Sequence, residues 1–154
     1  MIPFTLLTLD HIVLRVADLS QSLAFYCEGL GASLEKVQDD IGLWQLRAGT
    51  SLIDLVPLAG MLGARGGKGP GQQDRNLDHF ALEITPFDRD VIHAHLARHG
   101  IAIIEEGARH GARGVGPALY ICDPDGNMVG LKARDRCCSC LHKLRASLGA
   151  HAAL

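Results

Sequence analysis

The sequence predicts an α+β protein of two tandem βαβββ modules, and three observations carry that prediction. The phrase Leu9-Asp10-His11 recurs as Leu77-Asp78-His79, 68 positions later. Each copy opens an apolar, strand-like run, TLDHIVLRV at Thr8–Val16 and NLDHFALEI at Asn76–Ile84. Each run is followed by a helix-like segment, a glycine stop and three further strand-like segments, as a true internal repeat requires.

The first helix is expected just after Val16. Asp18 or Ser20 supplies an N-cap, Leu19, Leu23, Tyr26 and Leu30 recur at near-helical spacing, and Gly29 or Gly31 supplies the stop. Three strands are expected next, over Ala32–Gln38, Ile41–Arg47 and Ser51–Pro57, with Asp39-Asp40 and Ala48-Gly49 as turns. In the second module a helix is expected to begin at Pro86-Phe-Asp-Arg-Asp90. Ile92, Ala94, Leu96 and Ala97 give it an apolar face, and Gly100 ends it, 69 positions after Gly31. Its strands are Ile101–Glu106, Pro117–Cys122 and Asn127–Lys132, the last two joined by the Asp123-Pro-Asp-Gly-Asn127 turn. Residues 1–57 and 76–133 are therefore the two modules of one structural domain.

Residues 58–75, which join the modules, hold six glycines between Gly60 and Gly71, a segment longer than most connections. It reads equally as a flexible linker or as a lid over a site. It is not a phosphate loop, because no glycine there sits between a strand and a helix in a GxGxxG arrangement. Residues 134–154 form a tail in which Leu141, Leu144 and Leu148 line one face of a short helix. Cys137, Cys138 and Cys140 lack the second ligand pair of a structural zinc site.

With 47% hydrophobic and 21% charged residues, the chain has the balance of an ordinary soluble domain. A net charge of −2, with no basic run interleaved with aromatics, argues against nucleic acid as a partner. No segment approaches the apolar length of a membrane span. Five cysteines and no basic, signal-like N-terminal region point to reduced thiols in a cytoplasm.

Two histidines at one place in a repeat suggest imidazoles brought together by pseudo-symmetry, and neutral imidazole is a common metal ligand. Asp54 stands between Ile53 and Leu55 in an apolar strand, where a charge is costly unless it is paired or binds a metal. Aligning Ile53-Asp54-Leu55 with Val129-Gly130-Leu131 places Gly130 at the equivalent position. Arg15 and Glu83 are also equivalent; they ion-pair with each other or touch an anionic substrate. Trp44 and Tyr120, on the third strands, line the site or pack in the core, and Gln45 and Arg47 are placed to face substrate if their side of the strand is the inner one. His93, His95, His99 and His110 have no paired strand context and are read as solvated. Cys122 is read as a small buried hydrophobe. No Ser-His-Asp arrangement and no activated cysteine is evident.

The phrase LDHIVLRVADLSQSLAFYCEGLG, the recurring LDH and the DPDGN turn together resemble the vicinal oxygen chelate superfamily, over roughly Leu7–Lys132. That group includes glyoxalase I, extradiol dioxygenases, fosfomycin-resistance transferases, methylmalonyl-CoA epimerase and bleomycin-resistance proteins. The resemblance implies a curved, partly open mixed sheet around a central cup. It places metal ligands on the first and fourth strands of both modules, here His11, Asp54, His79 and Gly130. Asp54 stands where the family has Glu, and Gly130 replaces a second Glu with a residue that cannot ligate.

Three readings follow. In the leading one, His11, Asp54 and His79 hold a divalent ion (zinc, nickel, manganese or iron) that chelates vicinal oxygens of a small α-oxygenated or thiol-adduct substrate. The protein is then a glyoxalase-like lyase or isomerase, with Asp54 as ligand or catalytic base, or a related extradiol-type dioxygenase. In the second, the cup binds a small molecule without metal, as bleomycin-resistance proteins do. In the third, the histidines are structural. A homodimer is expected from the resemblance and from the need to cover sheet edges.

Overall fold

The computed structural model describes residues 2–69 and 76–134. They form two compact units, residues 2–69 with Pro124–Gly126 and the remainder of 76–134. The cysteine-bearing tail and Gly71 lie outside the described residues.

Unit 1 contains β1 (His11–Val16), α1 (Leu19–Leu23), a π-helical turn (Ala24–Gly29), β2 (Ser33–Gln38), β3 (Leu43–Ala48) and β4 (Ser51–Pro57). Unit 2 contains β5 (His79–Ile84), α2 (Arg89–Arg98), β6 (Ile103–Arg109), β7 (Gly116–Cys122) and β8 (Met128–Ala133). The strand orders are β1-β4-β3-β2 and β5-β8-β7-β6, so the same connectivity is built twice. In each sheet the first strand runs parallel to the fourth and the remaining pairs are antiparallel. The mixed sheet expected from the sequence is thus two four-stranded mixed sheets.

Local chemistry explains the boundaries. Asp18 is extended at the N-cap of α1, and its carboxylate accepts the Gln21 N–H at 3.0 Å. Asp88 does the same for α2, accepting the Val91 N–H at 3.2 Å, so that helix begins at Arg89 rather than at Pro86. Gly31 and Gly100 follow the two helical segments with φ of 77° and 67°, the left-handed conformation glycine adopts most cheaply. The near-helical spacing around Tyr26 resolves into a wider π turn, in which the Leu30 N–H reaches back to the Phe25 carbonyl. That winding turns the adjacent Phe25 and Tyr26 both inward, their rings edge to face at 4.9 Å.

Paired residues in a ladder project to the same side, so the register separates two faces of each sheet. In unit 1, Leu14, Val16, Leu46, Ile53 and Leu55 share one face and are buried. Each is worth about 1.5–3 kcal/mol of apolar burial. In unit 2 the corresponding buried set is Leu119, Ile121, Val129 and Leu131. The opposite faces carry the polar residues singled out in the sequence.

Candidate functional site

On the polar face of unit 1, β1 contributes His11, Val13 and Arg15. Val13 pairs with Asp54 on β4, and Asp54 pairs with Gln45 on β3. His11, Asp54 and Gln45 therefore share a side. Asp54 is 4% exposed, and its two oxygens accept from Gln45 Nε2 at 3.3 and 3.2 Å. Among the described residues no Lys or Arg pairs with it. A buried carboxylate held by one amide is an expensive arrangement, and such groups are more often kept for a ligand than for stability.

His11 is half-exposed, and its Nδ1 lies 2.7 Å from Asp10 Oδ1. An ionised carboxylate only accepts, so Nδ1 carries the proton and the lone pair of the neutral ring is left on Nε2. Unit 2 repeats the device, with His79 Nδ1 2.7 Å from Asp78 Oδ2. A carboxylate behind Nδ1 is the common second partner of a metal-ligating imidazole. The recurring Asp of LDH therefore orients the recurring His. The signal for that role is the Asp that precedes each His in the repeated phrase. Gln45 likewise emerges as a site residue only once the register is known.

The Asp10 hydrogen bond, assisted by the charge of Asp54, raises the His11 pKa above that of an ordinary imidazole. The folded value exceeds the unfolded one, so the stability this contact adds is complete below the unfolded pKa. It is lost as pH climbs through the folded pKa. Asp10→Asn is expected to move the His11 ring-proton NMR titration of the metal-free protein to lower pH. An unchanged midpoint excludes Asp10 as the cause.

On the equivalent face of unit 2, His79, Ala81 and Glu83 on β5 lie beside Met128, Gly130 and Lys132 on β8, and Tyr120 on β7 pairs with Gly130. Tyr120 stands edge to face with His79 at 5.4 Å, and the Arg109 guanidinium lies 5.8 Å from its ring centre. Tyr120 is thus on the expected face, although buried at 9% exposure.

Several expected site residues are placed otherwise. Trp44 pairs with Leu55 and so shares the core face of β3, pointing away from the His11–Asp54 side. Its neighbour Gln45 takes the place it was expected to fill, because the two faces alternate residue by residue. Arg15 and Glu83 do not pair with each other. Arg15 donates to the carbonyls of Gly63, Gly66, Gly67 and Lys68 at 2.6–3.0 Å. Glu83 accepts from Arg113 Nε at 2.9 and 3.1 Å. Glu105 is ion-paired with Arg109 at 3.1 Å. The α2 histidine His93 is held by Glu106 at 2.7 Å rather than simply solvated, and Cys122 is half-buried.

Through the Arg15 contacts, residues 63–68 of the glycine-rich segment form a strap fastened to the His11-bearing face of β1. Two of its glycines are required by close approach. A Cβ on Gly63 would stand 1.9 Å from the Pro57 carbonyl oxygen, and one on Gly66 would stand 2.5 Å from Arg15 Nε. Arg15→Ala is expected to cost about 1–2 kcal/mol and to open residues 63–68 to limited proteolysis. Uncut protein under conditions that leave the parent intact counts against the fastening.

The profile of the Glyoxalase/Bleomycin resistance protein/Dioxygenase superfamily matches residues 8–131. The chain belongs to this superfamily. As a member, it is 35% identical over 127 residues to catechol-2,3-dioxygenase of Bacillus subtilis (strain 168), covering 78% of this chain. It spans only 39% of that protein's length. It is 30% identical over 127 residues to virulence protein STM3117 of Salmonella typhimurium, covering 79% of this chain and 80% of that protein. Among solved structures, integron cassette protein VPC_CASS1 from the mobile metagenome of V. Pseudocholerae matches with a TM-score of 0.67 at 26% identity. That match covers 88% of this chain and all of the other (100%).

Members of the superfamily commonly use a divalent ion. Unit 1 carries an oriented imidazole and a buried carboxylate, and unit 2 carries a second oriented imidazole; these nitrogen and oxygen donor types suit zinc, nickel, manganese or iron(II). Among the described residues no three His, Cys, Asp or Glu side chains stand together as a ready metal cluster.

Proposed function

We propose that this superfamily member is a glyoxalase-like, metal-dependent lyase or isomerase acting on a small α-oxygenated or thiol-adduct substrate. His11, Asp54 and His79 are its metal ligands. The observation that carries the reading is Asp54, a buried carboxylate with one amide partner on the same face as an oriented imidazole. A divalent ion bound there would act as a Lewis acid toward two adjacent substrate oxygens.

The protein's own residues then have separate tasks. Asp10 and Asp78 hold the imidazoles with Nε2 outward. Gln45 fixes the Asp54 carboxylate through its amide. When Asp54 is not a ligand, it is the group on this face able to take a proton from a carbon beside a carbonyl. Tyr120 bounds the second module's part of the site, and Glu83, neutralised by Arg113, borders it. The strap held by Arg15 restricts water on the first module's face.

A second reading, a metal-free small-molecule binder, is favoured by Gly130 and by the lack of a ready three-donor cluster among the described residues. Elemental analysis of untagged protein purified without chelator separates the two. About one ion per chain supports the enzyme. No ion, even after incubation with zinc, nickel, manganese and iron(II), favours the binder. For metal-loaded protein, turnover of an aldehyde–glutathione adduct supports the lyase. Oxygen consumption with catechols instead supports dioxygenase chemistry, the activity in the name of the Bacillus subtilis relative.

A homodimer in the cytoplasm belongs to the same proposal. Val13, Leu34 and Val37 are exposed apolar positions on edge strands, the kind of surface a second copy covers. Light scattering reads the mass. No helix among the described residues is long and apolar enough to cross a membrane.

A further inference from the structure

We propose that Tyr120 decides what the fourth strand of the second module can offer a metal: its ring occupies the space over the Gly130 α-carbon and excludes an acidic side chain there. The inference rests on the functional reading above for its metal consequence, but its steric part stands independently.

The two modules place different pairs at equivalent positions. In unit 1, Gln45 on the third strand pairs across to Asp54 on the fourth, and the amide donates to the carboxylate. In unit 2, the third-strand partner of the fourth-strand position is Tyr120, facing Gly130. A Cβ built on Gly130 would stand 3.1 Å from Tyr120 Cε1, 3.2 Å from the Ala81 Cβ and 3.5 Å from Tyr120 Cδ1. Those contacts are tight, and neither neighbour moves easily. Ala81 is fixed to the β5 backbone. Tyr120 is pinned by His79 at its edge and by Arg109 over its face, and Arg109 is itself tied to Glu105.

A carboxylate at position 130 would have to pass between them. Glycine here is therefore not merely a lost ligand. It is the small half of a large–small pair, and the ring has taken the acid's volume. Glu83 and Glu105 do not supply the acid instead, because each is held by an arginine.

The test is a four-protein cycle: the parent, Gly130→Asp, Tyr120→Gln and the double variant, which rebuilds the Gln–Asp pair of the first module. Tm of the metal-free proteins and zinc affinity by calorimetry are read on all four. Gly130→Asp alone is expected to lower Tm by about 5 °C without tightening zinc binding. In the double variant the added loss is expected to disappear, a non-additive result, and zinc is expected to bind about tenfold or more tightly than to the parent. Tyr120→Phe with Gly130→Asp keeps the ring and should give no relief.

If Gly130→Asp alone tightens zinc binding as much as the double variant, with additive Tm effects, the exclusion is overturned. If no protein of the four binds zinc, the metalloenzyme reading fails. The Tm cycle then decides the steric coupling alone: non-additivity supports it and additivity overturns it. Should Gly130→Asp not fold, Gly130→Ala in the same cycle introduces only the Cβ and reads the same coupling.

Discussion

Replacing His11 and His79 together by alanine is expected to remove the bound ion while leaving the fold intact. In the proposed centre the two imidazoles contribute two of the three donors, and each has a carboxylate on Nδ1 that leaves its Nε2 for a ligand. Their side chains are 47% and 40% exposed, so truncation opens no internal cavity. The stability change should stay near about 0.5 kcal/mol. The expected result is therefore a split: metal content falls from about one ion per chain to none, while Tm moves by no more than a few degrees. A double variant that retains its metal places the ion elsewhere and removes the proposed site. A variant that loses metal only because it unfolds is recognised by its circular dichroism, and the single variants then carry the test.

Asp54→Asn should act in opposite directions on stability and on metal. The carboxylate is buried, and its one partner among the described residues is a neutral amide at 3.2–3.3 Å. Removing the charge relieves a desolvation cost, and the asparagine oxygen still accepts from Gln45. Metal-free Asp54→Asn is expected to be more stable than the parent by about 1–2 kcal/mol, read by denaturant melts. Its affinity for zinc should fall by about 100-fold, since a neutral amide is a poor ligand beside a carboxylate. This opposition is the signature of a residue kept for function at the expense of stability. If Asp54→Asn destabilises the metal-free protein and leaves affinity unchanged, Asp54 is structural and the proposed centre loses its carboxylate.

These residues also show how much of the protein could be read in advance. The two modules, their order of elements and their boundaries follow from local signals. The LDH repeat marks the first strands, Asp18 caps the first helix, and Gly31 and Gly100 stop the helical segments because few other residues adopt φ near +70° without strain. The helix α2 starts three residues beyond Pro86, a permitted first-turn residue, because the cap is Asp88, whose side chain accepts from the Val91 N–H.

The candidate site was legible only in part. Sequence alone determined that His11 and His79 are equivalent, that Asp54 is an anomalous charge in an apolar strand, and that its counterpart is Gly130. It determined these because repeats and alternation are properties of the chain itself. Tertiary structure decided which residue of β3 stands beside Asp54, Gln45 and not Trp44. It decided that Arg15 fastens the strap instead of meeting Glu83, and that Tyr120 fills the space over Gly130. The first and last depend on the register of neighbouring strands, and the second on a side chain of β1 meeting the carbonyls of residues 63–68. Alternation states that a strand has two faces, but only the register settles which neighbours a side chain meets.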